Sequence, residues 1–204
     1  MPKQTDGATR ERVLLVARDL FGRQGYRATT ITQIEKAAGL SPGSGGLYRH
    51  FPSKKSLLEA SLQQQVESGP DMAAFMSLPA DADDPRSQLL MIAHAGLRRL
   101  EHERDLNRLL LRDLRDFPEL LAMVRDTELR RVHAGLAGWL RENAGPGSLD
   151  PSVVATVLMG AVSHYWIMRD VFGGTHPFAT DEDAFLSVVA DMAASTLPGI
   201  EARD

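Results

Sequence analysis

The 204-residue chain has no cysteine, which excludes a disulfide framework and any thiolate metal site. Lysine is scarce and confined to one end: Lys3, Lys36, Lys54 and Lys55 all precede residue 56. Apolar runs are short. The longest, from Val153 to Val162, is broken by Thr156 and Gly160 and is too short to span a bilayer. The first residues, MPKQTDGATR, lack the apolar stretch of a signal peptide. A soluble, cytoplasmic protein with no membrane partner is therefore expected. Catalytic signatures are missing too: there is no Gly-x-Ser-x-Gly elbow, no phosphate loop and no His-Glu-x-x-His helix. His94 and His102 stand two helical turns apart, too far for a simple metal pair. No enzyme activity, cofactor or metal is expected.

What is present is unevenly distributed. The net charge of −4 conceals a basic head on an acidic body. Residues 1–60 hold ten Lys or Arg against five Asp or Glu, a net of +5. The whole-chain totals of 23 and 27 leave 13 and 22 for residues 61–204, a net of −9. A basic face attracts a phosphate backbone and an acidic body is repelled by it. At this length the chain can bury a substantial core and divide into two compact parts.

The densest signal lies between Thr29 and Glu59, TTITQIEKAAGLSPGSGGLYRHFPSKKSLLE. Thr30 reads as an N-cap and Gln33 can reach back to complete a capping box. Ile31, Ile34, Ala37 and Ala38 then form one apolar stripe. Gly39 sits where helices commonly end in a left-handed residue, and apolar Leu40 is expected to tuck under the turn. Ser41-Pro42 predicts the start of a second short helix. Leu47 and Phe51, four apart, face inward and leave Tyr48, Arg49 and His50 toward the surface. Pro52 stops that helix and Ser53 caps the next. Two short helices joined by a glycine turn make a helix-turn-helix, whose second helix enters the major groove of DNA. A preceding helix over about Arg10–Gln24, with Val13, Ala17, Leu20 and Phe21 on one face, braces the pair and ends at Gly25.

The run ARDLFGRQGY (17–26), then Thr29-Thr30-Ile31, AGLS (38–41), LYRHF (47–51) and Ser53-Lys54 resembles the N-terminal domain of tetracycline-repressor (TetR) family transcriptional regulators. The resemblance covers about residues 10–60. It implies an all-α protein: an N-terminal three-helix helix-turn-helix domain, residues 1–56, then a helical ligand-binding and dimerisation domain, residues 57–204. It implies a homodimeric repressor that binds a palindromic operator and releases it when a small, mainly apolar or aromatic effector binds. A DNA-binding protein without inducer control, or a helical enzyme, are the alternatives. Candidate DNA contacts are Thr30, Ser41, Ser44, Gly46, Tyr48, Arg49, His50, Lys54 and Lys55, with Gly46 able to offer only its backbone N–H. Two departures stand out. SPGSGG (41–46) is two residues longer than the family's usual pattern and rich in glycine, which costs about 1 kcal/mol per residue in a helix relative to alanine. Glu35 replaces a customary alanine, and either points outward beside Lys36 or changes how the two helices cross.

Helical periodicity continues over Ser53–Ser68, Ser87–His102, Asp105–Asp116, Pro118 to about Asn143, Ser152–Phe172 and Asp181–Leu197, with a looser stretch around residues 69–85. The segment Val153–Val171 is apolar on nearly every side, which predicts burial between neighbours. With the last helix, whose stripe is Phe185, Val188, Val189, Met192 and Thr196, it is the expected dimer surface. The effector pocket implied by the resemblance draws on Met72, Phe75, Met76, Met91, His94, Leu110, Leu114, Met123, Trp139, His164, Tyr165 and Trp166. His94 or His164 would be its polar anchor.

Overall fold

The computed structural model describes residues 6–43, 45–68 and 84–197, and among these there are helices and turns but no strand. The helices are α1 (Asp6–Gln24), α2 (Ile31–Ala37), α3 (Lys54–Ser68), α4 (Pro85–His102), α5 (Arg104–Arg112), α6 (Pro118–Val124), α7 (Arg130–Glu142), α8 (Pro151–Val171) and α9 (Glu182–Ala194). Single 3-10 turns occupy Leu47–Arg49 and Leu114–Asp116, and a π-turn occupies Arg125–Leu129. The expected all-α architecture is present. The expectations for Ser44, Met72, Phe75 and Met76 fall outside the described residues.

The described chain forms two compact units: residues 6–68 with 103–127, and residues 84–102 with 128–197. In the first, Val13, Leu14, Ala17 and Phe21 of α1 are buried with Leu57, Leu58 and Leu62 of α3 and with Leu106 and Leu109 of α5. α5 approaches α1 where α1 carries glycine. A Cβ on Gly22 would lie 2.5 Å from Cβ and Cγ of Asp105, so only glycine fits without movement. This crowding desolvates the Asp105 carboxyl and raises its pKa. Asp19 adds to the rise, and Arg18, Arg108 and Arg104 oppose it. An acid whose folded pKa exceeds its unfolded value contributes most stability below the unfolded pKa and loses that contribution as pH rises through the folded one. Asp105→Asn is therefore expected to raise the melting temperature near neutral pH. The gain should vanish below the carboxylate range, as melting curves across pH would show.

In the second unit, Leu89, Ala93 and Leu97 of α4 pack with Leu136 and Leu140 of α7, Val154, Ala155 and Val162 of α8, and Leu186, Val189 and Ala190 of α9. Asp150 caps α8 by accepting the Ser152 N–H at 2.8 Å, with Pro151 at the first helical position. Asp181 caps α9 through the Ala184 N–H at 2.9 Å. The π-turn interrupts the helix expected to run unbroken from Pro118. Within it Glu128 is buried, where it pairs with the equally buried Arg99 and lies 3.4 Å from Arg131.

α8 is only partly covered by its own chain. Its buried face is Val154, Ala155, Val162, Tyr165 and Trp166, but Val153, Val157, Gly160, His164 and Val171 form an exposed stripe at helical spacing. Val153 and Val157 are 59% and 60% exposed, and on α9 Val188 and Met192 are 55% and 62% exposed. A helix that is apolar all round has no polar side to give to solvent, so within one chain its surplus apolar face stays uncovered. At 21 residues and mean hydropathy 1.3, α8 is also long and apolar enough to cross a bilayer by those two measures, although the run counted in the sequence was too short.

Candidate nucleic-acid interface

The helix-turn-helix begins with α2, whose cap is built as the sequence predicts. The Gln33 N–H donates to Thr30 Oγ1 at 3.2 Å, and the Thr30 N–H donates to Gln33 Oε1 at 2.7 Å. Gly39 adopts φ +69° and returns the chain. Leu40 packs against the core of the first unit. From behind, the Arg12 Nε donates to the Ala38 carbonyl at 2.7 Å, satisfying an acceptor that the helix end leaves open.

The next segment differs from the expectation. Ser41-Pro42 starts a turn, not an α-helix, and among the described residues of the segment the helical piece is the 3-10 turn Leu47–Arg49. The cause is local. Gly43 and Gly45 adopt φ +75° and +70°, left-handed values that cannot continue a right-handed helix. Glu35 resolves its two alternatives by pointing inward. It is 1% exposed, and its carboxylate accepts the Gly43 N–H at 2.7 Å and lies 3.4 Å from the Leu47 N–H.

Beyond the turn, Leu47 and Phe51 are buried while Tyr48 and Arg49 are exposed and His50 is half-buried. Tyr48 is 54% exposed, an unusual position for a large aromatic ring. Arg10 stands 5.2 Å from the centroid of the Phe51 ring and adds a cation to the same edge. Ser41 is exposed and Gly46 is half-buried at the start of the 3-10 turn.

The two lysines behave differently from each other. Lys54 Nζ lies 4.3 Å from the Tyr26 ring centroid and 3.5 Å from the Arg27 carbonyl oxygen. Desolvation there lowers its pKa, and Asp113 partly offsets that. Lys55 is exposed and bonded to Glu119, which raises the lysine pKa and lowers that of the glutamate. Arg10 and Arg12 are residues that sequence reasoning gave no role at this edge. Their partners, Phe51 and the Ala38 carbonyl, lie more than 20 residues away, which spacing along the chain does not reveal.

The expected pocket residues are divided between the units. Leu110, Leu114 and Met123 belong to the first, where Leu114 is wholly buried in the core. Met91, His94, Trp139, His164 and Trp166 belong to the second. There Trp139 donates to Gln88 at 3.2 Å and buried Trp166 donates to Glu101 at 3.0 Å. His94 is half-buried and 3.8 Å from Asp183, whereas His164 lies on the exposed stripe of α8 and lines no interior. The first unit has a cleft of about 430 Å³ lined by Gln24, Arg27, Ala28, Arg112, Asp113 and Asp116. It contains none of the expected pocket residues, and its charges are paired within it, Arg27 with Asp116 and Arg112 with Asp113. Among the described residues no cluster of His, Asp or Glu could hold a metal ion.

This arrangement, a capped helix, a glycine turn and an outward aromatic-cationic edge over a sealed core, defines a helix-turn-helix module. Residues 13–61 match the family described as bacterial regulatory proteins, tetR family. The match covers the helix-turn-helix and the helices that flank it, about a quarter of the chain. It is 30% identical over 118 residues to the HTH-type transcriptional regulator YvkB of Bacillus subtilis, a match covering 58% of this chain and 59% of that protein. It is 27% identical over 149 residues to the HTH-type transcriptional repressor KstR2 of Mycolicibacterium smegmatis, covering 71% and 69%. The chain thus spans less than two thirds of the length of YvkB. A TetR-like transcriptional regulator from Rhodococcus sp. RHA1 shares the fold, with a TM-score of 0.70, 21% identity and coverage of 97% of this chain and 100% of that one.

Proposed function

We propose that the chain is a cytoplasmic, ligand-responsive transcriptional regulator without enzyme activity. It acts as a repressor that holds a palindromic operator as a homodimer. The observation that carries this reading is the edge of exposed Tyr48 and Arg49 with half-buried His50, seated on buried Leu47 and Phe51 in the basic part of the chain. Tyr48 and Lys54 touch the phosphate backbone, and Thr30 and the Ser53-Lys54-Lys55 helix start place amides and charge near it. His50 joins Tyr48 at the backbone, and Ser41, Ser44, Arg49 and the Gly46 N–H are left for base edges or further phosphates. Lys55 must exchange Glu119 for a phosphate to take part.

One edge reads few base pairs, and paired half-sites roughly 34–36 Å apart require a twofold partner. The uncovered apolar stripes of α8 and α9 support such a dimer. Repression follows KstR2, which is named a repressor. Release follows if a small apolar or aromatic molecule, held by residues such as Met91, His94, Trp139 and Trp166, binds the DNA-incompetent state more tightly.

Selection of duplexes from a random-sequence pool, followed by anisotropy titration, tests the reading. The selected sites are expected to be palindromic. Tyr48→Ala should weaken binding to all duplexes alike and flatten its dependence on salt. A compound library screened against the complex should contain an apolar or aromatic molecule that releases the DNA. Enrichment of no duplex would sink the proposal, and release by no compound would leave a regulator without inducer control.

A further inference from the structure

Among the described residues of the head, Glu35 is the one buried acidic side chain. Burying a carboxylate is costly unless hydrogen bonds replace the lost water. Here they come from the segment that the head presents outward. The side chain accepts the Gly43 N–H at 2.7 Å and faces the Leu47 N–H at 3.4 Å, while the Glu35 backbone carbonyl accepts the Leu40 N–H at 2.8 Å. A single residue of α2 therefore holds the start, the middle and the end of the stretch leading to Tyr48.

The backbone of that stretch also departs from an α-helix. An α-helix would be kept in shape by its own ladder of amide bonds. Among the described residues after the turn, the Tyr48 N–H donates to the Gly45 carbonyl at 3.1 Å and the His50 and Phe51 N–H groups donate to the Leu47 carbonyl at 3.0 Å. Glycines at 43 and 45 give the chain wide conformational freedom when nothing restrains it. The added length of SPGSGG and the acid at position 35 are thus two halves of one device.

We propose that Glu35 is a positioning residue for operator recognition. Its carboxylate anchors the backbone at Gly43 and Leu47, and so sets which base sequence the Tyr48-Arg49-His50 edge selects. Phosphate affinity is left largely to the surrounding cations. The inference rests on the DNA-binding reading above.

The test uses the full chain and two duplex probes: the sequence wild type enriches from a 30-bp random pool, and the unselected pool itself. Glu35→Met removes both acceptor oxygens while keeping a similar buried volume. Its affinity for the selected duplex should fall about tenfold or more, the effect of losing hydrogen bonds to a charged group. Its affinity for the unselected pool should stay within about twofold, since phosphate contacts dominate there. Glu35→Gln, which keeps one acceptor, should fall between Met and wild type. A merely structural role would lower both affinities together. Equal selected-duplex affinity for E35M and wild type overturns the proposal, as does a parallel loss on both probes. Amide exchange on wild type alone keeps the idea exposed if E35M does not fold. The Gly43 and Leu47 amides should exchange at least tenfold more slowly than in an unstructured chain, and unprotected amides would refute the anchor. If wild type enriches no duplex, the DNA-binding reading fails, and exchange still reports on the anchor by itself.

Discussion

Arginine in place of Val157 is expected to leave the chain monomeric at micromolar concentration, where the proposed dimer predicts a dimeric wild type. Val157 is 60% exposed at the middle of the α8 stripe, one turn before Gly160, whose missing side chain lets another helix approach closely. A twofold interface contains each substitution twice. Each arginine would be buried without a partner, and an uncompensated buried charge costs about 3–5 kcal/mol. Two such costs weaken the dimer by orders of magnitude, far more than any single apolar contact contributes. Sedimentation velocity should show the change, and circular dichroism should show helix content retained, because Val157 takes no part in the core of its own unit. Leu149→Arg, also exposed but in the loop before α8, serves as the control and should leave the dimer intact. A monomeric wild type, or a dimeric V157R, would remove α8 as the contact surface.

Phe21→Ala is expected to destabilise the first unit by about 3–5 kcal/mol, the usual range for deleting a buried phenyl ring. That is a large share of the roughly 5–15 kcal/mol that holds a domain folded. Phe21 is fully buried, and its ring lies 5.5 Å from that of Tyr26, which in turn meets Phe117 edge-on at 4.8 Å. Its carbonyl accepts the Gly25 N–H at 2.9 Å and the Arg112 Nη2 at 2.8 Å. The residue therefore ties α1, the Gly25 turn and α5 together. Phe21→Leu, which refills part of the space, should recover much of the loss. Urea unfolding measures both, and a loss below about 1 kcal/mol for F21A would contradict this packing.

The helix starts were legible because their signals are local. Thr30 with Gln33, Asp150 with Pro151, and Asp181 all cap helices within a turn of themselves, so neighbouring letters suffice. The inward pair Leu47 and Phe51 was legible for the same reason. The recognition segment was misread at Pro42, although its glycines carried the information. The family pattern favoured an α-helix there, and left-handed Gly43 and Gly45 prevented one. The direction of Glu35 could not be read, since it depends on amides eight and twelve residues away that fold over it. Lys55 and Glu119 lie still farther apart in sequence, so their pairing was invisible. In α8 the apolar letters surround the helix, and composition alone does not say which side meets its own chain.

The first unit is assembled from two separate stretches of chain, 6–68 and 103–127, with α5 and α6 supplying Leu106, Leu109, Leu120 and Val124 to its interior. Anyone excising the reading head at residue 68, or grafting it onto another sensor, would leave a hole where those four side chains sit. A working transplant has to carry both stretches.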